Sequence, residues 1–206
     1  MKKSIFLFAA LACLSCQPFT KAERRLISEA DSLMSVTEMP ADSIVLHTPC
    51  RDLNARELAS PLLKALVDKM HYTVRHPSQD GVGIAAPQVG ISRRVIWVQR
   101  FDKPGEPFEC YLNPHLDSLG GDVLIGSEGC LSVPPYRGMV PRHSEVTVSY
   151  LRPDSRQRIR EHVQGYTAII FQHELDHLDG RLYTSRALSV SIDSTWAAQR
   201  LEFSAR

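Results

Sequence analysis

Apolar residues change period several times along the chain, and each period predicts an element. Ser60-Pro61 reads as a helix start, a capping hydroxyl followed by proline at the first helical position. Leu62, Leu66, Val67, Met70 and Val74 then fall on one helical face, and a polar loop runs on to Asp80. Val95-Ile96-Trp97-Val98 reads as a buried strand, Cys110-Tyr111-Leu112 as another, and Val123 to Ile125 as a third. From Glu145 to Leu151 the pattern alternates, with Val146, Val148 and Tyr150 on one face and Thr147 and Ser149 on the other. Arg152-Pro153-Asp154-Ser155 is a turn, and Arg156 to His162 the return strand of a hairpin. Ala168, Ile169, Phe171, Leu175 and Leu178 recur at helical spacing within 164–178, and Gly180 suits the cap that ends this helix. The tail from Ser185 is weakly periodic and is expected to close in a short helix. Helix, mostly antiparallel strands, then helix is the order of an α+β domain.

The N-terminus follows a different rule. Lys2 and Lys3 precede an apolar run from Ile5 to Leu14 that contains small Ala9, Ala10 and Ala12, with Ser15 after it. This is the pattern of an export signal, too short for a comfortable membrane span. Cys16 comes next and resembles the site of a bacterial lipoprotein, where the cysteine carries lipid; Cys13 is the alternative. The expectation is an exported, lipid-anchored protein, with a cytoplasmic one as the alternative. On this reading residues 1–16 are expected to be the signal, 17–40 a polar tether containing a short helix, and 41–206 the folded domain.

The chain has 206 residues, 43% of them hydrophobic, enough for one domain with a sizeable core. A net charge of +1 gives no reason to propose nucleic-acid binding. Of five cysteines, Cys50, Cys110 and Cys130 lie beyond the signal, an odd count that does not resemble a disulfide framework. Cys50 and Cys110 read as small hydrophobes.

His173-Glu174-Leu175-Asp176-His177 carries the chemistry. Two histidines four apart on a helix point the same way and can grip one metal ion, and the glutamate between them can move protons. A surface ion pair would be the bland alternative. One large group of zinc proteases continues this motif to a further histidine; here Gly180 is in place, but Tyr183 stands where that ligand would be. Another takes a downstream glutamate, and only Glu202 is available, close to the chain end. Two upstream segments have unusual composition: Gly81-Val82-Gly83-Ile84-Ala85-Ala86-Pro87-Gln88 and Glu128-Gly129-Cys130-Leu131-Ser132. Small residues in the first permit close backbone approach, and Gln88 offers a neutral amide donor.

The three segments in this order resemble peptide deformylase, whose motifs G-x-G-x-A-A-x-Q, E-G-C-L-S and H-E-x-x-H are all complete here. The resemblance covers roughly Val45 to Tyr183. It implies mostly antiparallel sheets packed around a central helix that carries the histidines. It implies that Cys130, His173 and His177 bind one divalent metal, Fe2+ by preference, with Zn2+, Ni2+ or cobalt able to replace it, and leave a fourth position for water. The implied reaction is hydrolysis of the formyl group from formyl-Met peptides or nascent chains, releasing formate. Glu174 would carry the proton, while Gln88 and the Leu131 backbone N–H would steady the oxyanion. Gly83 would pair with the peptide backbone, and Val82 and Ile169 would wall the methionine pocket. Glu128 would orient a ligand, with Arg142 as its partner. Two alternatives stand beside this reading: a zinc peptidase cleaving ordinary peptide bonds, and a non-catalytic surface lipoprotein that keeps the fold. An exported copy would not meet chains leaving the ribosome, so it would act on formylated peptides outside.

Overall fold

A computed structural model describes residues 18–41 and 43–195. The expected signal with Cys13 and Cys16, and the alternative ligand Glu202, lie outside the described residues. Helices are α1 (Lys21–Glu29), α2 (Ser43–Leu46), α3 (Ala55–Leu58), α4 (Pro61–Arg75) and α5 (Gly165–Leu178). Strands are β1 (Gly83–Ala85), β2 (Val95–Gln99), β3 (Phe108–Gly129), β4 (Tyr136–Leu151), β5 (Arg158–Gln164) and β6 (Ser189–Ile192). They form one sheet in the order β1-β2-β3-β4-β5, with β6 paired to the end of β4, and every pairing is antiparallel. This is the expected α+β arrangement.

Helices cover both faces of β1, β2 and the start of β3. Ile84, Val95, Cys110 and Leu112 face one way and pack with Leu63, Leu66, Met70 and Val74 of α4. Ala85, Ile96, Val98 and Tyr111 face the other way and pack with Ala168, Phe171, Leu175 and Leu178 of α5. Burial on both faces is why residues 95–98 read as an unbroken apolar run rather than an alternating one. Ser60 caps α4 by accepting from the Leu62 N–H at 3.2 Å. Gly180 follows the end of α5 at φ +70°, where a Cβ would meet the His47 carbonyl at 2.7 Å.

Three expectations are revised. The strands expected at 110–112 and 123–125 are one strand, β3, 22 residues long, which crosses an exposed stretch between them with register shifts against β4. The tail after Ser185 includes a strand that the reading did not contain, β6, while most of the stretch beyond it, where a closing short helix is expected, lies outside the described residues. The stretch read as a polar tether is packed on the body from Phe19 onward. Phe19, Ile27 and Met34 are buried in the core beside α4. Glu23, which forms a capping box with Thr20, accepts from buried Arg93 at 2.6 and 2.9 Å. Lys69 of α4 donates to the Ile27 carbonyl at 2.7 Å, and the Met34 N–H donates to Thr73 at 2.9 Å. The short helix is present as expected, but it is held by long-range contacts.

Candidate active site

α5 supplies two of the site's donors directly. His173 and His177 lie one turn apart with ring centroids 5.0 Å apart. Cys130 arrives at the end of β3, and its Sγ stands 3.2 Å from His177 Nε2. The ligand atoms of Cys130, His173 and His177 all lie within 4.8 Å of one another. The long β3–β4 hairpin therefore delivers the cysteine to two histidines more than forty positions away in sequence.

Each side chain is held by a further contact. Glu128 Oε2 accepts from His173 Nδ1 at 2.9 Å, which turns Nε2 of that ring toward the cluster. Arg142 donates to both oxygens of Glu128, at 2.7 and 3.0 Å, and to Asp176 at 2.5 Å. Asp176 also accepts twice from Arg186, at 2.7 Å each. Gln88 Oε1 accepts from the Ala85 N–H at 2.8 Å, so its amide NH2 faces Cys130 Sγ at 3.5 Å and Ser132 Oγ at 3.3 Å. Tyr183, which stands where the extended zinc-protease motif has histidine, stacks on His173 with centroids 6.1 Å apart and donates to the Tyr136 carbonyl at 2.9 Å.

Electrostatics fit a cation. Burial holds His177 well below the usual histidine range, in the neutral form that ligates. Burial opposes the charged form of His173 as well, yet Cys130, Glu128 and Glu174 around it outweigh this and raise it well above that range. Burial also opposes ionisation of Glu128, but hydrogen bonds from His173 and Arg142 bring it down to about 2. A cluster that draws a proton onto a buried imidazole lacks positive charge, and a divalent ion among these donors supplies it. Glu174 is 3% exposed, its Oε2 is buried without a partner, and burial pushes its carboxyl up to about 7. A sulfur and two imidazoles leave a further coordination position, the open arrangement of a catalytic rather than a structural site.

A cavity of about 430 Å³ opens beside this cluster. Val82, Gly83, Gln88, Cys130, Leu131, Ile169, His173 and Glu174 all line it. His177 is buried behind, so every site residue read from the sequence converges on one place. Asp176 and Arg186 were not singled out as site residues. Asp176 sits inside the histidine motif, whereas nothing in the local pattern around Arg186 marks it.

The family model for polypeptide deformylase matches residues 33–191. The chain belongs to the peptide deformylase family. A peptide deformylase 2 from Bordetella bronchiseptica is 41% identical over 133 residues, covering 62% of this chain and 74% of that one. A deformylase from Leptospira biflexa is 35% identical over 155 residues, covering 72% and 85%. A class I type b deformylase from Acinetobacter baumannii, solved with Met-Ala-Ser bound, superposes with a TM-score of 0.68 at 39% identity, covering 75% of this chain and 98% of that one. Deformylases are metal-dependent hydrolases that remove the formyl group from N-terminal formyl-methionine, and this activity carries over to the chain.

Proposed function

We propose that Cys130, His173 and His177 hold one divalent ion and that Glu174 carries the proton in formyl hydrolysis. The observation that carries this reading is the convergence of Cys130, from the end of β3, on the two histidines of α5. The bound ion supplies a Lewis acid that acidifies water and polarises a carbonyl. Glu174, with its carboxyl brought near neutrality by burial, takes a proton from water and returns it to the leaving amine. Water's oxygen ends on the formyl carbon, the C–N bond breaks, and formate and a free amino terminus leave. The Gln88 amide and the Leu131 backbone N–H, both from residues that line the cavity, would donate to the formyl oxygen as it gains charge. Gly83 offers backbone hydrogen bonds to an extended peptide, and Val82 and Ile169 offer apolar walls to its first side chain.

The test is formate release from formyl-Met peptides by protein of defined metal content. Glu174→Gln is expected to lower turnover by about 10²–10⁴-fold with the metal retained; near-normal turnover would remove Glu174 from the mechanism. We take ferrous iron as the resident ion, on the resemblance of the three motifs. Zinc and nickel compete for the same sulfur and nitrogen donors. Elemental analysis after anaerobic purification decides among them.

We also propose export and lipid attachment at Cys16, with formylated peptides outside the cytoplasm as substrates. Lys2-Lys3, the run from Ile5 to Leu14 and Cys16 two residues beyond it support this. Cell fractionation with lipid labelling tests it, and an unmodified cytoplasmic protein would overturn it.

A further inference from the structure

The pocket beside the histidines runs further from them than a methionine side chain reaches. Two walls run side by side away from the histidines. On α5, His173, Ile170, Ile169 and Tyr166 line the cavity, a run of about 10 Å at ~1.5 Å per residue. On β3, Glu128, Gly126 and Leu124 line it, a run of about 13 Å at ~3.3 Å per residue. Alternate residues share a strand face, and Gly126 pairs across the sheet with Val140, which is buried and also lines the cavity. A methionine side chain reaches only about 5 Å from its Cα at ~1.5 Å per bond. At the far end Leu124 and Tyr166 are 48% and 54% exposed, so the pocket opens to solvent between them.

Halfway along the β3 wall stands Gly126, where a Cβ would meet nothing within 4 Å. Glycine inside a strand weakens it, having no side chain to pack and more conformational freedom to lose. Gly126 is not in the left-handed region, and no neighbour presses on it. Neither a turn nor a close approach accounts for the glycine, and what it leaves is room inside the pocket.

We propose that Gly126 sets the width of the pocket for the substrate's first side chain. Resting on the deformylase reading above, this makes N-formyl peptides that begin with an aromatic or long branched apolar residue substrates alongside formyl-methionine. The walls favour apolar groups: Val82, Val140, Ile169 and Ile170 face the space, and the nearby charges of Glu128 and Arg142 are paired with each other, with His173 and with Asp176.

The experiment compares formate release from formyl-Met-Ala, formyl-Phe-Ala and formyl-naphthylalanyl-Ala by the metal-loaded full chain and by Gly126→Val and Gly126→Ile. The wild-type protein is expected to turn over formyl-Phe-Ala with kcat/KM within about tenfold of formyl-Met-Ala. Each variant is expected to shift that ratio toward methionine by about 10-fold or more, chiefly through KM, since a few methylenes in an apolar pocket are worth 10–200-fold. Thermal unfolding checks that the variants fold, which β-branched residues on a strand favour. A wild-type enzyme that processes formyl-Met-Ala and rejects both bulkier peptides overturns the proposal. So do folded variants whose selectivity stays at the wild-type ratio. Absence of formate release from every peptide would instead remove the deformylase reading on which the proposal stands.

Discussion

Gly83 lies so close to Glu174 that a Cβ on the glycine would stand 2.5 Å from Oε1 and 2.9 Å from Cδ of the carboxylate. The first glycine-rich segment thus fixes where the proton carrier can sit. Gly83→Ala must push a buried carboxylate aside, and a displacement of about 1 Å at a reacting centre can cost on the order of 10²-fold. Turnover of formyl-Met-Ala is expected to fall 10- to 100-fold, with metal content unchanged by elemental analysis. Wild-type turnover in this variant would show that Glu174 needs no such placement.

The three cysteines beyond the expected signal separate by environment. Burial holds the Cys50 thiol up to about 12, and the fully buried Cys110 higher still. Cys130 is half-buried beside His177. In metal-stripped protein at mildly alkaline pH, an alkylating reagent should therefore modify Cys130 first, and added zinc should protect it. Peptide mass spectrometry reads the order, and equal labelling of all three would contradict it.

Arg100 is 1% exposed and donates to Asp102, Glu109, Glu161 and the Tyr111 hydroxyl. Its hydrogen bond holds the Asp102 carboxyl below the ordinary range. Burial works the other way on Glu161, but hydrogen bonds from Arg100 and Tyr150 still lower it. Groups depressed in the folded state contribute stability that is fully present above their unfolded range and lost as pH falls from there through their lower folded values. Arg100→Met is expected to destabilise the fold by roughly 3 kcal/mol near neutrality, as loss of one partner from a buried ion pair does. The deficit should shrink on acidification once those carboxylates take up protons. Urea unfolding at neutral and acid pH measures both values, and a deficit independent of pH would count against the network.

Glu23 reaches Arg93 across seventy positions of sequence, and the Phe19 ring sits 5.2 Å from the same guanidinium. Glu23→Ala leaves Arg93 with Glu57 as its remaining acidic partner. A loss of about 3 kcal/mol is expected, the low end for breaking a buried pair. Thermal unfolding checks this; an unchanged midpoint would mean that α1 is an appendage.

The parts of the fold that the sequence made legible are those whose burial follows a local period. α4 buries one helical face and starts at a clear signal, Ser60, while α5 is buried around most of its circumference and stops at Gly180, so their extents were clear. The middle of β3 was not, because Asp117, Ser118, Gly120, Gly121 and Asp122 are not buried and the strand carries register shifts there. α1 was read as loose because its attachment runs through Glu23 and Arg93, a pairing that no local pattern announces. The site divides the same way. Spacing alone related His173 to His177, whereas Cys130 needed two further motifs and the resemblance they carry. Asp176 joins the site only through its contact with Arg142, and Arg186 only through Asp176.

The packing of α1 also sets a standoff. Phe19 is already seated in the core, three residues after Cys16. At no more than ~3.5 Å per residue, a lipid on that cysteine would hold the folded body within about 10 Å of the bilayer. An anchored enzyme of this kind would work as a fixture at the headgroup layer, sampling peptides that leave the membrane surface rather than sweeping a volume on a leash.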